Sequence, residues 1–201
     1  ALADRGLATA RIAVDEVGLM PGHWEALAAL LPKAVLMPAA SLLRATRAAN
    51  PHAVLIYKPH PDVEAGLRPG AIAHADLVGL VDVTPSHADP VALLANVQEV
   101  WTMTSLLGFE ALIRGIPVTC LGAPFYAGWG LTKDLGPLPT WRSARPDLPQ
   151  LAHAALIAYP RYWDPVSQRP CPPEVALERL ASGDIPHPGC LNRLTAKLQG
   201  L

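Results

Sequence analysis

The sequence predicts an α/β protein with a doubly wound parallel sheet, and two observations carry this prediction. Short apolar runs without polar alternation, such as AVLIY at residues 53–57, are typical of strands that are buried on both faces. Segments with helical patterning, such as residues 39–49, separate these runs, which favours parallel connections over hairpins. Hydrophobic residues make up 51% of the 201 residues, so the chain can bury a sizeable core.

Strands and helices alternate along the chain. The predicted strands are residues 34–38, 53–57, 77–83, 100–103 and 117–121. The predicted helices are residues 39–49, 90–96, 104–114, 149–158 and 174–182. Gly115 follows the third helix, where a residue without Cβ readily adopts the left-handed conformation that ends helices. Residues 1–33 show no clear pattern, so we predict one domain over residues 34–201, with C-terminal helices as an extension packed back on it.

Charge and composition argue against several classes of protein. The formal net charge of -1 does not favour a nucleic-acid partner. No apolar run approaches the ~20 residues of a membrane span, and no signal peptide is visible. The three cysteines lack CxxC spacing, which favours a reducing, cytosolic compartment. The spacing of His60, His74 and His87 matches no common metal site, so we expect neither a metal nor a cofactor.

The first candidate site is the loop that follows the strand predicted at residues 53–57. His60 lies between two prolines, which restrict its backbone, and its ring can donate to a phosphate oxygen. Lys58 and Arg68 add positive charge nearby. The alternative is a loop histidine that only binds a backbone carbonyl. For a second His-Pro pair, at residues 187–188, the structural interpretation is favoured, because no predicted strand precedes it.

The second candidate site is the start of the helix predicted at residues 104–114. Thr104 and Ser105 stand where free N–H groups and the helix dipole favour an anion. Gly108 allows a ligand or a strand to come close, and Glu110 lies about one and a half turns into the helix. A simple N-cap for Thr104 or Ser105, and a solvated carboxylate for Glu110, are the structural alternatives.

The third candidate is the segment at residues 122–132, in which aromatic residues alternate with glycines. Such a loop can form the wall of a sugar or base site, or it can pack the edge of the domain. The chain has no DxD motif, P-loop or GxGxxG motif. A nucleoside monophosphate leaving group fits this pattern, because a histidine, a lysine and a helix start can stabilise one phosphate without a metal.

Three long motifs, in this order, resemble the KpsC/LipA-type capsular polysaccharide proteins. They are YKPHPDVEAGLRPG at residues 57–70, TMTSLLGFEALIRGIPVTCLGAPFYAGWGLT at 102–132 and AALIAYPRYWDP at 154–165. The resemblance implies the nucleotide-binding, Rossmann-like half of a GT-B glycosyltransferase that transfers Kdo from CMP-Kdo. It also implies that His60 contacts the CMP phosphate, as catalytic residue, and that Thr104 or Ser105 caps it. Lys58, Arg68, Gly108 and Glu110 complete the expected substrate-binding set, with Glu110 on the ribose.

The resemblance also implies partners and a location. The acceptor is a glycolipid or a Kdo-glycan, and the protein works with capsule assembly proteins, in the cytoplasm and peripheral to the inner membrane. An exposed cleft face would favour a homodimer. The acidic pair expected in the acceptor half is not evident, so we expect the catalytic carboxylate outside this chain. The alternatives are another nucleotide-sugar transferase or epimerase, and a non-catalytic scaffold in the capsule assembly-export complex.

Overall fold

The computed structural model describes residues 39–65, 70–86, 88–183 and 185. The strand predicted at residues 34–38 and the segment at residues 1–33 lie outside the described residues, as do Arg68, His87 and the His-Pro pair at 187–188. The chain falls into two compact units, residues 1–148 and residues 149–201. Each unit is described separately below.

The first unit contains a parallel sheet and the helices around it. Its helices are α1 (Ala39–Ala49), α2 (Pro61–Glu64), α3 (His74–Leu77), α4 (Pro90–Leu94) and α5 (Leu106–Ile113). Its strands are β1 (Val100–Thr102), β2 (Val118–Cys120) and β3 (Lys133–Asp134). The sheet order is β1-β2-β3, and both pairings are parallel. The predicted α/β class with a parallel sheet is therefore confirmed.

Helix α5 makes the crossover between β1 and β2 and packs on both strands. Its apolar face is buried through Phe109, Ala111 and Leu112. Every residue of β2 is buried, as expected for a strand that is covered on both faces. Gly115 has a φ of +73°, so it takes the predicted left-handed position after the helix.

The strands predicted at residues 53–57 and 77–83 reduce to a single parallel bridge between Ile56 and Val83. The prediction for residues 77–83 was wrong at its start, because Leu77 ends α3 and Gly79 adopts a φ of +77°, which an extended strand does not allow. Around the bridge, the carboxylate of Asp82 accepts hydrogen bonds from the Leu55 amide and the guanidinium of Arg47. These bonds lower the pKa of Asp82, the Leu55 amide having the largest effect.

The sequence did not predict β3, because two charged residues after a long loop show no strand pattern. The side chain of Asp134 fixes its position in the sheet, because its carboxylate accepts hydrogen bonds from the Gly128 amide at 2.9 Å and the Thr132 hydroxyl at 2.7 Å. The strand is continued by a bond of 2.8 Å from the Leu135 amide to the Cys120 carbonyl. Tertiary contacts rather than local propensity therefore position β3.

The second unit contains a hairpin as well as helices. Its elements are α6 (Leu148–His153), a π-helical turn (Ala154–Ala158), β4 (Tyr162–Asp164), β5 (Arg169–Cys171) and α7 (Pro173–Ser182). The two predicted helices are confirmed within two residues at each end, although a π-helical turn replaces the second half of the first. The antiparallel hairpin β4–β5 was not predicted, because the prolines at positions 165, 170 and 172 hide its strand pattern.

Asp164 connects the hairpin turn of the second unit to α7. It is buried, and its carboxylate accepts from the amides of Val166 and Ser167 in the hairpin turn and from the guanidinium of Arg179 in α7. The Arg179 contact has the largest effect in lowering the pKa of Asp164 well below its usual range. One carboxylate thus links the turn to the helix through charge-assisted hydrogen bonds.

Candidate functional site

The carboxyl end of β1 brings two of the predicted residues to the start of α5. Thr102 and Met103 are buried, whereas Thr104 and Ser105 are exposed. Ser105 is the N-cap of α5, because its hydroxyl oxygen accepts from the Leu107 amide at 3.2 Å. Its own amide donates to the Thr102 hydroxyl at 3.1 Å. The two exposed hydroxyl groups therefore stand at the positive end of an eight-residue helix.

Gly108 faces a protein side chain. A Cβ at this position would collide with the Tyr126 hydroxyl and would lie 2.8 Å from Cζ of the same ring. Tyr126 is 0% exposed, and its hydroxyl donates to the Ser105 carbonyl at 2.5 Å. The close approach that the sequence allowed at Gly108 is thus made by Tyr126, which ties the loop after β2 to the start of α5.

The buried ring of Tyr126 is part of an aromatic cluster. Its centroid lies 6.1 Å from that of Phe109 and 5.2 Å from that of Phe125. Burial has the largest effect in raising the pKa of the Tyr126 hydroxyl, so this group stays protonated and acts as a hydrogen-bond donor. The sequence singled out this loop but not Tyr126 as the residue that anchors it.

The loops that leave the three parallel strands meet at one edge of the sheet. A Cβ on Gly122, two residues after β2, would lie 2.6 Å from the Met103 carbonyl oxygen after β1. A Cβ on Gly136, two residues after β3, would collide with the Leu121 carbonyl oxygen. Glycine at these two positions lets the backbones approach, so the carboxyl edge is compact. In a sheet of this kind, ligands bind at this edge.

Glu110 lies on α5 and is half-buried. Its backbone carbonyl accepts from the Arg114 guanidinium at 2.8 Å. The residues of α5 on the buried side are Gly108, Phe109, Ala111 and Leu112, so Glu110 lies at the border of that side. The carboxylate is therefore carried by the middle of α5, at the border of the buried side.

The His60 loop follows the Ile56–Val83 bridge. His60 is exposed, and its carbonyl accepts from the amides of Val63 and Glu64 at 2.9 and 3.1 Å, which starts α2. The Lys58 ammonium forms an ion pair with Glu64 and donates to the Pro59 carbonyl at 3.2 Å. Both side chains of this pair are largely buried, so Lys58 fixes the loop, and binding a ligand directly would require it to exchange this partner.

The structure therefore groups the predicted residues in two places. Thr104, Ser105 and Gly108 lie together at the start of α5, and Lys58 and His60 lie together in the other loop. Arg68, the remaining predicted cation, lies outside the described residues. The first group follows the carboxyl end of β1, which pairs with β2 in parallel, and the second group follows the parallel bridge between Ile56 and Val83.

Sequence reasoning missed Arg142, which fixes the loop after β2. Its guanidinium donates to the carbonyls of Pro124 and Ala127 at 2.6 and 2.7 Å, and to the carbonyl of Ala123 at 3.5 Å. Burial has the largest effect on its pKa, which it lowers, while Asp134 acts in the opposite direction. An isolated arginine in a Pro-rich stretch gives no sequence signal for this role, because its partners are backbone carbonyls.

An open depression of about 360 Å³ lies at the opposite, amino ends of β2 and β3. Its lining is apolar apart from glycine and consists of Leu112, Gly115, Ile116, Pro117, Leu131 and Leu148. Chemistry that acts on a phosphate needs polar groups that converge on the ligand, and this lining provides none. The carboxyl edge is therefore the better candidate site.

In the part of the chain that the structure describes, no group of three or more histidine, cysteine, aspartate or glutamate side chains is placed so that it could hold a metal ion. None of the helices described there combines the length and the apolar character that crossing a membrane requires.

Comparison with known proteins identifies relatives over most of the chain. Residues 35–162 match the family described as "Capsule polysaccharide biosynthesis protein". The capsule polysaccharide modification protein LipA of Neisseria meningitidis serogroup A is 44% identical over 167 residues, which are 80% of this chain and 24% of LipA. The lipopolysaccharide-processing protein LpsZ of Rhizobium meliloti is 48% identical over 121 residues, 60% of this chain and 27% of LpsZ. The chain thus spans about a quarter of the length of these relatives.

Two solved structures share the fold. The β-Kdo 2,7 transferase of Thermosulfurimonas dismutans KpsC superposes with a TM-score of 0.63 at 36% identity, covering 72% of this chain and 45% of that one. The β-Kdo 2,4 transferase of the same KpsC gives a TM-score of 0.62 at 35% identity, covering 70% and 43%. Both neighbours carry the name of a Kdo transferase.

Proposed function

Because this chain belongs to the capsule polysaccharide biosynthesis protein family, we propose that it is the donor-binding part of a glycosyltransferase that transfers Kdo from CMP-Kdo. The observation that carries this proposal is the similarity to the two KpsC β-Kdo transferases, at 36% and 35% identity. Each match covers less than half of the neighbour, which agrees with one half of a two-domain transferase fold. The remaining half would supply the acceptor site and the catalytic carboxylate.

In this proposal the reaction breaks the bond between the anomeric carbon of Kdo and the phosphate oxygen of CMP. Negative charge grows on the departing phosphate, and the enzyme stabilises it. His60 would donate a hydrogen bond to this phosphate and protonate it as CMP leaves. Two observations support this role: His60 is exposed, and it lies in the loop that follows the parallel bridge of Ile56.

The start of α5 would hold the same phosphate. The amides of Leu107 and Gly108 already donate to Ser105, so the groups that we assign to the phosphate are the hydroxyl hydrogens of Thr104 and Ser105. A hydroxyl oxygen can accept from an amide and still donate its own hydrogen, so the N-cap and the phosphate contact are compatible. The helix dipole adds to the attraction.

The other substrate-binding residues have supporting roles in the proposal. Glu110 would accept from the ribose hydroxyls, and Gly108 would keep Tyr126 and the helix start in place. Lys58 and Arg68 would supply positive charge towards the Kdo carboxylate. For Lys58 this requires exchange of its ion pair with Glu64, so its contribution is smaller than that of an unengaged lysine.

The experiment is a calorimetric titration of CMP into the chain, with UMP as the control ligand and without added metal. We expect CMP to bind and UMP to bind more weakly. His60→Ala should weaken CMP binding by about tenfold or more, since a charge-assisted hydrogen bond contributes about 1.5–3 kcal/mol. The matched control is His52→Ala, which removes another exposed histidine from the opposite end of residues 53–57.

Each result has a clear meaning. Unchanged CMP affinity in the His60→Ala variant would reject the assignment of His60. A preference for UMP would support a transferase or epimerase that uses another nucleotide sugar. Absence of binding by either nucleotide would favour a non-catalytic scaffold in capsule assembly and would reject the donor-binding proposal for this chain.

The proposal extends to the partners. The acceptor would be a glycolipid or a Kdo-glycan, and the protein would work with capsule assembly proteins on the cytoplasmic side of the inner membrane. A homodimer is part of the same proposal. Sedimentation equilibrium would test the dimer, and co-purification with inner-membrane vesicles, followed by a salt wash, would test peripheral association.

A further inference from the structure

Two tryptophans form a rigid pair beside the loop that follows β2. The ring centroids of Trp129 and Trp141 are 6.2 Å apart in an edge-to-face arrangement. The Trp129 ring nitrogen donates to the Phe125 carbonyl at 2.6 Å, which fixes the inner ring. Trp141 is 69% exposed, although an indole of this size is usually mostly buried. An exposed and rigidly supported indole therefore needs an explanation.

Arg142 packs against both rings. Its guanidinium carbon lies 5.6 Å from the centroid of Trp129 and 5.1 Å from that of Trp141. Since the same guanidinium donates to three carbonyls of the loop at residues 123–127, it cannot move freely. Arg142 thus lies over the Trp141 indole, which is still 69% exposed.

Two glycines on either side of Trp129 make room for this arrangement. A Cβ on Gly128 would lie 3.1 Å from Cδ of Arg142, and a Cβ on Gly130 would lie 3.1 Å from Cδ of Arg145. Both glycines have positive φ, at +85° and +89°. The segment around Trp129 is therefore shaped so that two arginine stems pass closely over it.

The platform, which we define as Trp129, Trp141 and Arg142, lies on the same edge of the sheet as the start of α5. The Arg142 guanidinium binds the carbonyls of Ala123 and Pro124, which lie three and four residues after the carboxyl end of β2. Gly122, one residue earlier, packs against the Met103 carbonyl at the end of β1. The exposed indole is thus held by the loops of the edge where a doubly wound sheet binds its ligands.

We propose that the platform binds an anionic sugar ring of the glycan substrate by stacking on the exposed indole of Trp141. A pyranose presents one face of C–H groups that carry partial positive charge, and the electron-rich face of an indole attracts such groups. The inference rests on the proposed function for the identity of the sugar, and it adds a sugar-binding residue to that function. Sugar from the donor and sugar from the acceptor share this chemistry, and the experiment separates them.

The charge around the platform favours an acidic sugar over a neutral one. Arg145 donates to backbone carbonyls, those of Gly128, Arg142, Ser143 and Ala144, and Arg142 likewise donates to carbonyls. Asp134 is the carboxylate that acts on Arg142. A sugar carboxylate beside the indole would be attracted by the guanidinium groups of Arg142 and Arg145.

The test compares four variants of the chain in saturation-transfer NMR, with Kdo, a short Kdo oligosaccharide and neutral methyl glucoside as probes. Trp141→Ala should weaken the binding of the Kdo probes by about tenfold, whereas Trp141→Phe, which keeps an aromatic face, should stay within about threefold of the parent. Trp163→Ala removes an exposed tryptophan from the second unit and is the matched control. Arg145→Gln should reduce the preference for Kdo over methyl glucoside.

Calorimetry with CMP and CMP-Kdo on the same variants assigns the sugar. A donor sugar predicts that Trp141→Ala weakens CMP-Kdo binding but not CMP binding. An acceptor sugar predicts that Trp141→Ala weakens binding of the Kdo probes but leaves both CMP and CMP-Kdo binding unchanged. An equal loss of CMP and Kdo affinity would mean that Trp141 stacks on the nucleobase, which overturns the inference. So would unchanged Kdo binding in Trp141→Ala, or no Kdo binding by the parent chain. Failure of the parent to bind CMP tests only the proposed function, because the Kdo probes are measured separately.

Discussion

Gly108 has no room for a side chain, and replacing it with alanine tests how the candidate site is held together. The new Cβ would collide with the Tyr126 hydroxyl and lie 2.8 Å from Cζ, and this ring is fully buried against Phe109 and Phe125. Since the ring cannot swing into solvent, the packing has to shift or the hydrogen bond to the Ser105 carbonyl has to break. Gly108→Ala should therefore destabilise the first unit.

The expected magnitude follows from three contributions. Overpacking a buried position costs about 1–3 kcal/mol. Loss of the Tyr126 hydrogen bond costs about 0.5–1.5 kcal/mol. Alanine is better than glycine inside a helix by about 1 kcal/mol, which acts in the opposite direction. The net destabilisation is about 2 kcal/mol, or a fall in Tm of about 4–8 °C for a chain of this size.

Urea unfolding followed by tryptophan fluorescence measures this change, and a double-mutant cycle with Tyr126→Phe identifies its cause. Tyr126→Phe alone removes the nearest atom and should cost about 1 kcal/mol. In that background Gly108→Ala should cost less than in the parent chain, with a coupling of at least about 0.5 kcal/mol. A Gly108→Ala variant as stable as the parent, or two changes that simply add, would refute the reasoning, because Tyr126 would then not occupy the space above Gly108.

Three further predictions concern the helix cap, the second unit and the buried thiol. Ser105→Ala should lower the free energy of unfolding by about 1 kcal/mol and Ser105→Gly by only a few tenths, as urea unfolding would reveal; equal losses would argue against the cap. The pKa of Asp164 is lowered in the folded state, so its stabilising effect is present above about pH 4, the unfolded value, and is lost as the pH falls towards the folded value. The stability difference between the parent and Asp164→Asn, measured by thermal unfolding from pH 7 to pH 2, should therefore shrink on acidification; a constant difference would contradict the Arg179 contact as its cause. Burial raises the pKa of the Cys120 thiol to about 12, so this thiol should react with an aromatic disulfide reagent only on unfolding, whereas the half-buried Cys171 should react earlier. A fast reaction at pH 8 in the variant with both Cys171→Ser and Cys190→Ser, which keeps Cys120 alone, would show that β2 is accessible.

The elements with strong local patterns could be predicted from the sequence. Helix α5 and strands β1 and β2 are confirmed because continuous apolar runs, a serine before a helix and Gly115 after it are signals that act within a few residues. The resemblance to capsule proteins also lies in contiguous motifs, and the family match over residues 35–162 agrees with it. The roles proposed for His60 and for the hydroxyl pair stay predictions.

What the sequence by itself determined is the α/β class, the alternation around β1, α5 and β2, and the place of Thr104 and Ser105 at a helix start. Only the tertiary structure decided that Lys58 is paired with Glu64, that Tyr126 fills the space above Gly108, and that Arg142 holds the loop after β2. The physical reason is the separation along the chain over which each kind of interaction acts. Propensity and capping depend on neighbours within one or two turns, whereas these contacts join residues up to 21 positions apart through hydrogen bonds. Glycine at the points of close approach makes room for them, and these points form only when the chain has folded.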